Sequence, residues 1–306
     1  MTAAAAFFDL QVNGYAGVDF NQDELDADQL HRACERLDAD GVAGLLATII
    51  TDDLSAMCHR LSRLAELREA DPLAKRLIAG VHIEGPFLSD REGYRGAHPL
   101  DAIRPADVDS MKQLFDAARG LTRVVTLAPE CDPGLAVTRF LASHRIIVSA
   151  GHTDATLEQL RVAIDAGLSM FTHVGNGCPM HMNRHDNIIQ RALSLADELW
   201  LCFIADGAHI PFVALRNYLK LAREDRTIIV TDAIAPAGLG PGRYRFGRWD
   251  LEIDDDMVAR APDRSHLVGS GITMKQNAAN LLHGIGLSES VVRRLTLENP
   301  RIAIGA

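Results

Sequence analysis

Four residues whose side chains bind metal ions or transfer protons each stand at the end of a short apolar run. Glu84, His152, His173 and Asp232 all follow segments rich in branched residues, as residues at the end of a buried β-strand would. Imidazole nitrogens and carboxylate oxygens are common ligands of divalent metals. If separate strands bring these four side chains to a common point, they can hold one divalent cation and activate a water molecule on it.

Short apolar runs alternate along the chain with segments of helical periodicity, a pattern typical of parallel strands joined by crossover helices. Strands are predicted at Phe7 to Val12, Gly44 to Ile50, Leu77 to Ile83, Arg123 to Ala128, Arg145 to Ala150, Ser169 to Val174, Leu199 to Ala205 and Thr227 to Thr231. Helices are predicted at Asp28 to Asp38, Leu54 to Ala70, Ala106 to Ala118, Gly134 to His144, Thr156 to Asp165 and Pro211 to Ala222. Eight such units over roughly 250 residues predict an α/β fold of the TIM barrel type, whose active sites lie at the carboxyl ends of the strands.

Each of the four residues also has a purely structural explanation. A single buried histidine more often makes a structural hydrogen bond than binds a metal ion. The tripeptide Glu84-Gly85-Pro86 is compatible with a simple turn, and Asp232 with a turn cap. His82 would share a strand face with Glu84, so it either belongs to the site or fills the barrel. The matching position of all four residues at strand ends favours a shared site, with Asp232 as a general base.

The rest of the chain adds two features to the predicted barrel. After the eighth strand, Arg243 to Ile253 alternates aromatic, basic and apolar residues and leads on to His266 and Val268, which predicts a β-hairpin insertion. A C-terminal helical region from Thr273 to Leu297 follows. The 306 residues show no internal repeat and no clear linker, so residues 1–306 are predicted to form a single barrel domain.

Composition and charge exclude several classes of protein. A formal net charge of −10 argues against binding nucleic acid or an anionic membrane, because both require a basic surface. An anionic ligand would therefore need local positive groups. The five cysteines form no CxxC pair, which indicates a reducing compartment. Since there is no charged leader and no apolar run that could span a membrane, the cytoplasm is the expected location.

A series of short motifs gives the chain a resemblance to a known enzyme family. The motifs are Asp9-Leu10-Gln11-Val12-Asn13-Gly14, His82-Ile83-Glu84-Gly85-Pro86-Phe87, Arg95-Gly96-Ala97-His98-Pro99, Leu127-Ala128-Pro129-Glu130, Ala150-Gly151-His152-Thr153, Thr172-His173, Ala205-Asp206-Gly207-Ala208-His209, Thr231-Asp232-Ala233 and Gly269-Ser270-Gly271-Ile272-Thr273-Met274. In this order, over nearly the whole chain, they resemble the N-acetylglucosamine-6-phosphate deacetylases of the amidohydrolase superfamily. The combination is much more specific than any single motif.

The resemblance implies a mononuclear metal site with Glu84, His152 and His173 as ligands. Most amidohydrolases carry a His-x-His pair on the first strand, whereas this chain has Gln11 and Asn13 there, as deacetylases of this family commonly do. One divalent cation rather than two is the consequence. Zinc is the expected ion, and the same ligands also suit iron(II) and other divalent ions.

The resemblance also implies a reaction, the hydrolysis of the N-acetyl group of N-acetylglucosamine-6-phosphate to glucosamine-6-phosphate and acetate. The cation would polarise the acetamide carbonyl and lower the pKa of a water molecule. Asp232 would take a proton from that water and return it to the departing amine. His98 and His209 match family positions that contact the substrate, and their separate roles stay open.

The expected phosphate site departs from the family pattern. Arg184 stands where family members carry a phosphate-binding Arg that often serves the neighbouring subunit, and a solvated surface Arg is the alternative. Asn176 and the backbone amide of Gly177 are expected to contact the substrate. The segment from Asn176 to Asn187 is otherwise unusual, which leaves open an amidohydrolase of the same mechanism for another N-acyl sugar or amine. A sugar-phosphate-binding protein without catalysis is a third alternative, and the intact Asp232 argues against it.

A second departure concerns the architecture. Family members usually carry a small β-sandwich built from segments before and after the barrel, whereas here the first motif begins at Asp9 and the chain stops at Ala306. The sandwich is therefore expected to be absent. Either the barrel is self-sufficient, or another chain covers the surface that the sandwich would protect. A homodimer is the expected arrangement, and it would allow Arg184 to reach the neighbouring site.

Overall fold

The central sheet is a parallel barrel whose strands follow one another in sequence order. The computed structural model describes residues 6–246, 249–254, 258–261, 263 and 267–306. The barrel strands are β1 (Phe7–Val12), β2 (Val42–Ile50), β3 (Ile78–Glu84), β4 (Thr122–Leu127), β5 (Ile147–Ala150), β6 (Leu168–Phe171), β7 (Trp200–Ile204) and β8 (Thr227–Val230). Each strand pairs in parallel with the next. The predicted TIM barrel is therefore confirmed.

The barrel closes between its first and last strands at the carboxyl end. Val12, the last residue of β1, forms a parallel bridge with Ala233, just beyond β8. The backbone N–H groups of Asn13 and Gly14 both donate to the carbonyl oxygen of Ala233, at 2.7 and 3.2 Å. The carboxyl ends of β1 and β8 are thereby held side by side.

Helices cover the outside of the barrel. They are α1 (Ala27–Ala39), α2 (Leu54–Ala70), α3 (Pro72–Leu77), α4 (Val108–Ala117), α5 (Ala136–Ser143), α6 (Leu157–Ala166), α7 (Ile188–Leu193), α8 (Phe212–Leu221), α9 (Met274–Ala279), α10 (Glu289–Arg293) and α11 (Asn299–Ile304), with π-helical turns at Asn280–Ile285 and Arg294–Glu298. Capping boxes at Asp26 and Thr156 begin α1 and α6, and Gly167 ends α6 at a φ of 117°. Among the described residues, no helix has the length and apolar character needed to cross a bilayer.

The barrel interior changes character along its axis. Phe8, Leu46 and Val124 belong to an apolar cluster that Leu297 from the C-terminal region also joins. Closer to the carboxyl ends of the strands the interior is polar, and His82 lies there among hydrogen-bonding partners. Its Nδ1 lies 3.1 Å from the carbonyl oxygen of Leu10, and its Nε2 lies 2.7 Å from the hydroxyl of Thr126. His82 therefore fills the barrel, which decides between the two alternatives left by the sequence.

An antiparallel hairpin follows β8. Its strands are β9 (Gly242–Phe246) and β10 (Trp249–Ile253), and β11 (Ala259–Arg260) adds a short third strand. Leu251 and Ile253 pack with Ile234, which lies two residues beyond Asp232. His266, which the sequence places in this insertion, lies outside the described residues.

Candidate active site

Three of the predicted site residues meet at one carboxylate oxygen. Glu84 is the last residue of β3 and has only 2% of its surface exposed. Nε2 of His173 lies 3.0 Å from Glu84 Oε1, and Nε2 of His152 lies 3.3 Å from the same oxygen. The structure thus brings together the three residues that the sequence predicts as metal ligands.

His98 joins this cluster from the loop that follows β3. Its Nε2 lies 3.2 Å from Nε2 of His152, and the two rings meet edge to face with centroids 4.3 Å apart. Donor atoms of Glu84, His98 and His152 all lie within 4.8 Å of one another, as in a metal-binding group. His98, predicted to contact the substrate, is therefore also an immediate neighbour of the predicted metal site.

The hydrogen bonds of His152 show that this cluster fits a cation. Nδ1 of His152 donates to the carbonyl oxygen of Tyr94 at 2.8 Å, so in the neutral ring Nε2 carries a lone pair. That lone pair faces the Glu84 carboxylate in a buried space, where either a proton on Nε2 or a cation must lie between the two atoms. Both atoms are suitable ligands for a divalent cation placed between them. The residues present therefore fit the metal ion that the sequence predicts.

Burial and hydrogen bonding set the charges in the cluster. Burial would raise the pKa of Glu84, but its hydrogen bonds with His152 and His173 hold that pKa well below the ordinary value. Burial likewise opposes protonation of His173, yet its hydrogen bond to Glu84 raises the His173 pKa. Burial, together with the nearby charge of His152, lowers the pKa of His98 to about 3. An ionised Glu84 is the form of that side chain that metal binding requires.

Three site residues share an uncommon backbone conformation. His152, His173 and Asp232 are each the second residue beyond the end of their strand, and their φ angles are 51°, 30° and 52°. A left-handed φ in a residue other than Gly costs roughly 1–3 kcal/mol and persists where the surrounding structure holds it, often at functional sites. The shared conformation supports a functional role for all three residues.

The amide side chains at the end of the first strand bind the two carboxylates of the site. Nε2 of Gln11 donates to Glu84 Oε2 at 3.1 Å, and Nδ2 of Asn13 donates to Asp232 Oδ1 at 2.7 Å. Both interactions are hydrogen bonds to charged acceptors, which are stronger than those between neutral groups. Gln11 and Asn13 therefore orient the two acidic residues.

Asp232 has the environment of a proton carrier. It is partly exposed, and its hydrogen bond with Asn13 spans the barrel closure, which favours a site role over a turn cap. Burial and the negative charge of Glu84 raise its pKa to about 6, against the lowering effects of His173 and Asn13. A carboxyl group with a pKa close to the working pH is well suited to general acid and base catalysis.

Asp206 holds His209, and the sequence did not assign it a role. Nδ1 of His209 lies 2.6 Å from Asp206 Oδ2, and Asp206 Oδ1 accepts the backbone N–H groups of Ala208 and His209. Burial would raise the pKa of Asp206, but its hydrogen bond with His209 lowers it. With Nδ1 fixed in this way, the other ring nitrogen is available to a substrate. In the sequence, the Asp-x-x-His spacing just beyond β7 is the pattern that could have indicated this Asp206–His209 pair.

The loop after β6 packs against two of the histidines. Asn176 donates through its backbone N–H and its side-chain amide to the carbonyl oxygen of His173, at 2.9 and 3.2 Å. Gly177 has a φ of 59°, and a Cβ atom there would lie 2.7 Å from Nδ1 of His152. Only glycine fits so close to the ring. Asn176 and Gly177 thus support His173 and His152, and their predicted contacts with a substrate stay predictions.

Arg184 lies at the surface of the same loop. Its side chain is exposed, and it has no hydrogen bond or ion pair with the part of the chain that the structure describes. A polar cavity of about 360 Å³ lies beside the loop, lined by Arg91, Asp154 and Arg191 among others. Both of these arginines pair with Asp154. Within one chain, Arg184 therefore makes no hydrogen bond or ion pair with Glu84, His152 or His173.

The sequence is similar to curated deacetylases over nearly the whole chain. It is 32% identical to the N-acetylglucosamine-6-phosphate deacetylase of Bacillus subtilis (strain 168), over 97% of this chain and 74% of that protein. It is 30% identical to the N-acetylgalactosamine-6-phosphate deacetylase of Escherichia coli O157:H7, over 98% of this chain and 77% of that protein. No protein-family model matches the sequence.

The fold is similar to solved deacetylase structures. One is a variant of the N-acetyl-D-glucosamine-6-phosphate deacetylase of Mycobacterium smegmatis in complex with N-acetyl-D-glucosamine-6-phosphate. It matches with a TM-score of 0.89 and 30% identity over 99% of this chain and 77% of that chain. The enzyme of Thermotoga maritima matches with a TM-score of 0.85 and 27% identity over 98% of this chain and 78% of that chain. Sequence and fold therefore point to the same group of proteins.

Proposed function

We propose, starting from the fact that this chain belongs to the N-acetylglucosamine-6-phosphate deacetylase family, that it hydrolyses N-acetylglucosamine-6-phosphate to glucosamine-6-phosphate and acetate. The observation that carries the proposal is the approach of His152 and His173 within 3.3 Å of one Glu84 oxygen, in a site that also contains Asp232. Hydrolysis of an amide needs a polarised carbonyl, an activated water and a proton carrier. This site has residues for each requirement.

Glu84, His152 and His173 would hold one divalent cation, and we propose zinc. A buried set of two imidazoles and one carboxylate is a common zinc site, and iron(II) is the alternative that metal analysis distinguishes. When bound, the cation supplies Lewis acidity, which polarises a carbonyl oxygen and lowers the pKa of water. Gln11 fixes the Glu84 carboxylate through its other oxygen.

Asp232 would move the proton in both halves of the reaction. Its ionised carboxylate accepts a proton from the attacking water while Asn13 donates to Oδ1 and fixes the orientation of the group. With a pKa of about 6, Asp232 is mostly ionised at neutral pH and still acidic enough to protonate the amine nitrogen as the C–N bond breaks. His98 and His209 are proposed to bind the substrate carbonyl or the sugar hydroxyl groups.

A second candidate substrate is N-acetylgalactosamine-6-phosphate. The chain is 30% identical to a deacetylase named for that sugar, close to its identity with the glucosamine enzymes. The two substrates differ at a hydroxyl group remote from the acetamide, so the chemistry at Glu84 and Asp232 would be the same. Selectivity between them would come from the residues that contact the sugar.

We propose that the phosphate group is bound by Arg184 of a second copy in a homodimer. An exposed guanidinium without an ion pair in the described structure is suited to bidentate contact with a phosphate from a neighbouring subunit. We also propose that residues 1–306 act as a single catalytic domain, which the continuous barrel supports. The five free cysteines support a reducing compartment, and we propose the cytoplasm.

Metal analysis combined with acetate-release assays tests the proposed function. We expect about one divalent ion per chain, and acetate release from N-acetylglucosamine-6-phosphate that exceeds release from the unphosphorylated sugar. The galactosamine epimer, assayed in parallel, decides between the two substrates. The Asp232→Asn variant should keep its metal and lose about 10²- to 10⁴-fold in kcat.

Asp109→Asn is the matched control, because Asp109 lies on α4 with 90% of its side chain exposed and, among the described residues, forms an ion pair only with Lys112. It should keep parent activity. Full activity in Asp232→Asn would refute the assigned role of Asp232. A metal-loaded protein that releases no acetate from any of these sugars would refute the proposed function and favour a binding protein.

A further inference from the structure

A buried carboxylate outside the proposed mechanism lies at the barrel closure. Asp9 on β1 has 2% of its surface exposed. Its Oδ1 accepts the backbone N–H groups of Gln11 and Thr231, each at 3.2 Å, and its Oδ2 accepts the Thr231 hydroxyl at 2.6 Å. One carboxylate therefore connects the first strand with the segment that follows β8.

The hydroxyl of Thr231 extends this connection past Asp232. Oγ1 of Thr231 accepts the backbone N–H of Ala233 at 3.0 Å. The residues immediately before and after Asp232 are thus both tied to Asp9, one directly and the other through a single hydroxyl. Asp232 lies between them at a φ of 52°, a conformation that persists only where the surroundings hold it.

The same carboxylate fixes the opposite side of the closure. Gln11, whose backbone N–H binds Asp9, lies two residues before Asn13, which donates to Asp232. The Asn13–Asp232 hydrogen bond is therefore flanked on both strands by backbone that Asp9 contacts. A shift of either strand would change the position of the Asp232 carboxylate.

We propose that Asp9 is a positioning residue for Asp232, holding the Thr231–Ala233 backbone and the first strand so that the base keeps its place in the site. This inference rests on the proposed function. Burial raises the pKa of Asp9 to about 7, and its hydrogen bonds with Thr231 and Gln11 oppose that rise. A merely structural role would lower stability when Asp9 is removed, whereas a positioning role also lowers kcat for each folded, metal-loaded molecule.

Asp132 provides a matched control in the same barrel. It has 4% of its surface exposed, and its carboxylate accepts the backbone N–H groups of Val137 and Thr138 and the Thr138 hydroxyl. These contacts fix the start of α5 and involve none of the site residues. Asp132→Ala therefore removes the same types of hydrogen bond, at similar burial, away from Asp232.

The first test compares Asp9→Ala, Asp9→Asn and Asp132→Ala for folded fraction, metal content, kcat and KM. We expect Asp9→Ala to keep its metal and its KM and to lose about 100-fold in kcat, because a misplacement of about 1 Å can cost that much. Asp132→Ala should lose thermal stability and keep kcat. Asp9→Asn should recover much of kcat, since its amide oxygen still accepts both N–H groups and the Thr231 hydroxyl can turn to the Gln11 carbonyl, 3.2 Å away.

Hydrogen exchange gives a second measurement that does not depend on turnover. The backbone amides of Thr231 and Ala233 should exchange faster in Asp9→Ala than in the parent protein or in Asp132→Ala. Parent-like kcat in folded, metal-loaded Asp9→Ala, unchanged exchange at these two amides, or an equal loss of kcat in Asp132→Ala would each overturn the proposal.

Two further variants keep the test decisive if Asp9→Ala does not fold. Thr231→Val removes the hydroxyl at nearly constant volume, and Thr138→Val makes the same change in the control contact with Asp132. Only the first should lower kcat and speed exchange at Ala233. If the parent protein releases no acetate, the proposed function fails, while the exchange measurement still decides whether Asp9 holds the Asp232 segment.

Discussion

Replacing Asn13 with Leu should move the acid limb of the pH profile to higher pH. Asn13 is buried and donates to Asp232 Oδ1 at 2.7 Å, while its own Oδ1 has no partner in the described structure, so Leu removes the hydrogen bond at similar volume. The hydrogen bond favours the ionised carboxylate, and its loss therefore raises the Asp232 pKa. A hydrogen bond to a charged group contributes roughly 1.5–3 kcal/mol and one pKa unit equals about 1.36 kcal/mol, which gives a rise of about 1–2 units.

The rate should follow the ionised fraction of Asp232. In the parent enzyme that pKa is about 6, so kcat/KM rises with pH through about 6 and is nearly constant at neutral pH. In Asn13→Leu the rise should occur near pH 7–8. At pH 7 the variant should be roughly two- to tenfold slower than the parent, and the difference should nearly vanish at pH 9.

The assay is kcat/KM for acetate release between pH 5 and 9, with the enzyme saturated in metal. Gln11→Leu is the matched control, because Gln11 donates a similar amide hydrogen to Glu84 rather than to Asp232. It should weaken metal binding and leave the acid limb in place. An acid limb that stays at the parent pH in Asn13→Leu, moves to lower pH, or moves equally in Gln11→Leu would refute the reasoning.

Three further changes have distinct expected results. Gly177→Ala should weaken metal binding, measured by titration, because its Cβ would lie 2.7 Å from His152 Nδ1, whereas Gly120→Ala, also at a positive φ but with open space around it, should bind metal normally. Arg184→Ala should raise KM for the phosphorylated sugar roughly ten- to a hundredfold and leave the unphosphorylated sugar unaffected. A monomer by light scattering at micromolar concentration would contradict binding in trans. Chelation should abolish acetate release, and added zinc should restore it, if zinc is the ion.

The barrel was predictable because buried parallel strands are nearly continuous apolar runs. Each of the eight predicted strands overlaps an observed one, and β1 has the predicted limits. The largest error is at β6, which ends at Phe171 rather than Val174. His173 adopts a left-handed φ there and takes the chain out of the sheet, which an apolar run does not reveal.

The short helices α3 and α7 were not predicted. Each has six residues, too few for a repeating apolar face to identify. At α3 a local signal did exist, since Asp71 caps the helix and Pro72 stands at its first position. At α7 the only comparable signal was Asn187, whose side chain accepts the N–H of Gln190.

Glu84, His152, His173 and Asp232 could be singled out from side-chain type and position at strand ends, but the hydrogen-bond partners that hold such residues could not. Asp9 and Thr231 are separated by 222 positions in sequence, and their contact exists only because the barrel closes. The same holds for Gln11 and Glu84, separated by 73 positions. Patterns within one strand carry no information about such pairs.

The unusual loop from Asn176 to Asn187 has two stretches with different surroundings. Asn176 and Gly177, at the start of this loop, lie against His173 and His152, two of the proposed metal ligands. Further along the loop, the polar cavity of about 360 Å³ is bordered instead by Pro179, His181, Met182, Asn183, Asp186 and Asn187. Because these two sets of contacts lie on successive stretches of one loop, changes beyond Gly177 can alter the cavity and leave the contacts with His173 and His152 intact. A departure from the family pattern in this second stretch is therefore compatible with an unchanged deacetylation mechanism.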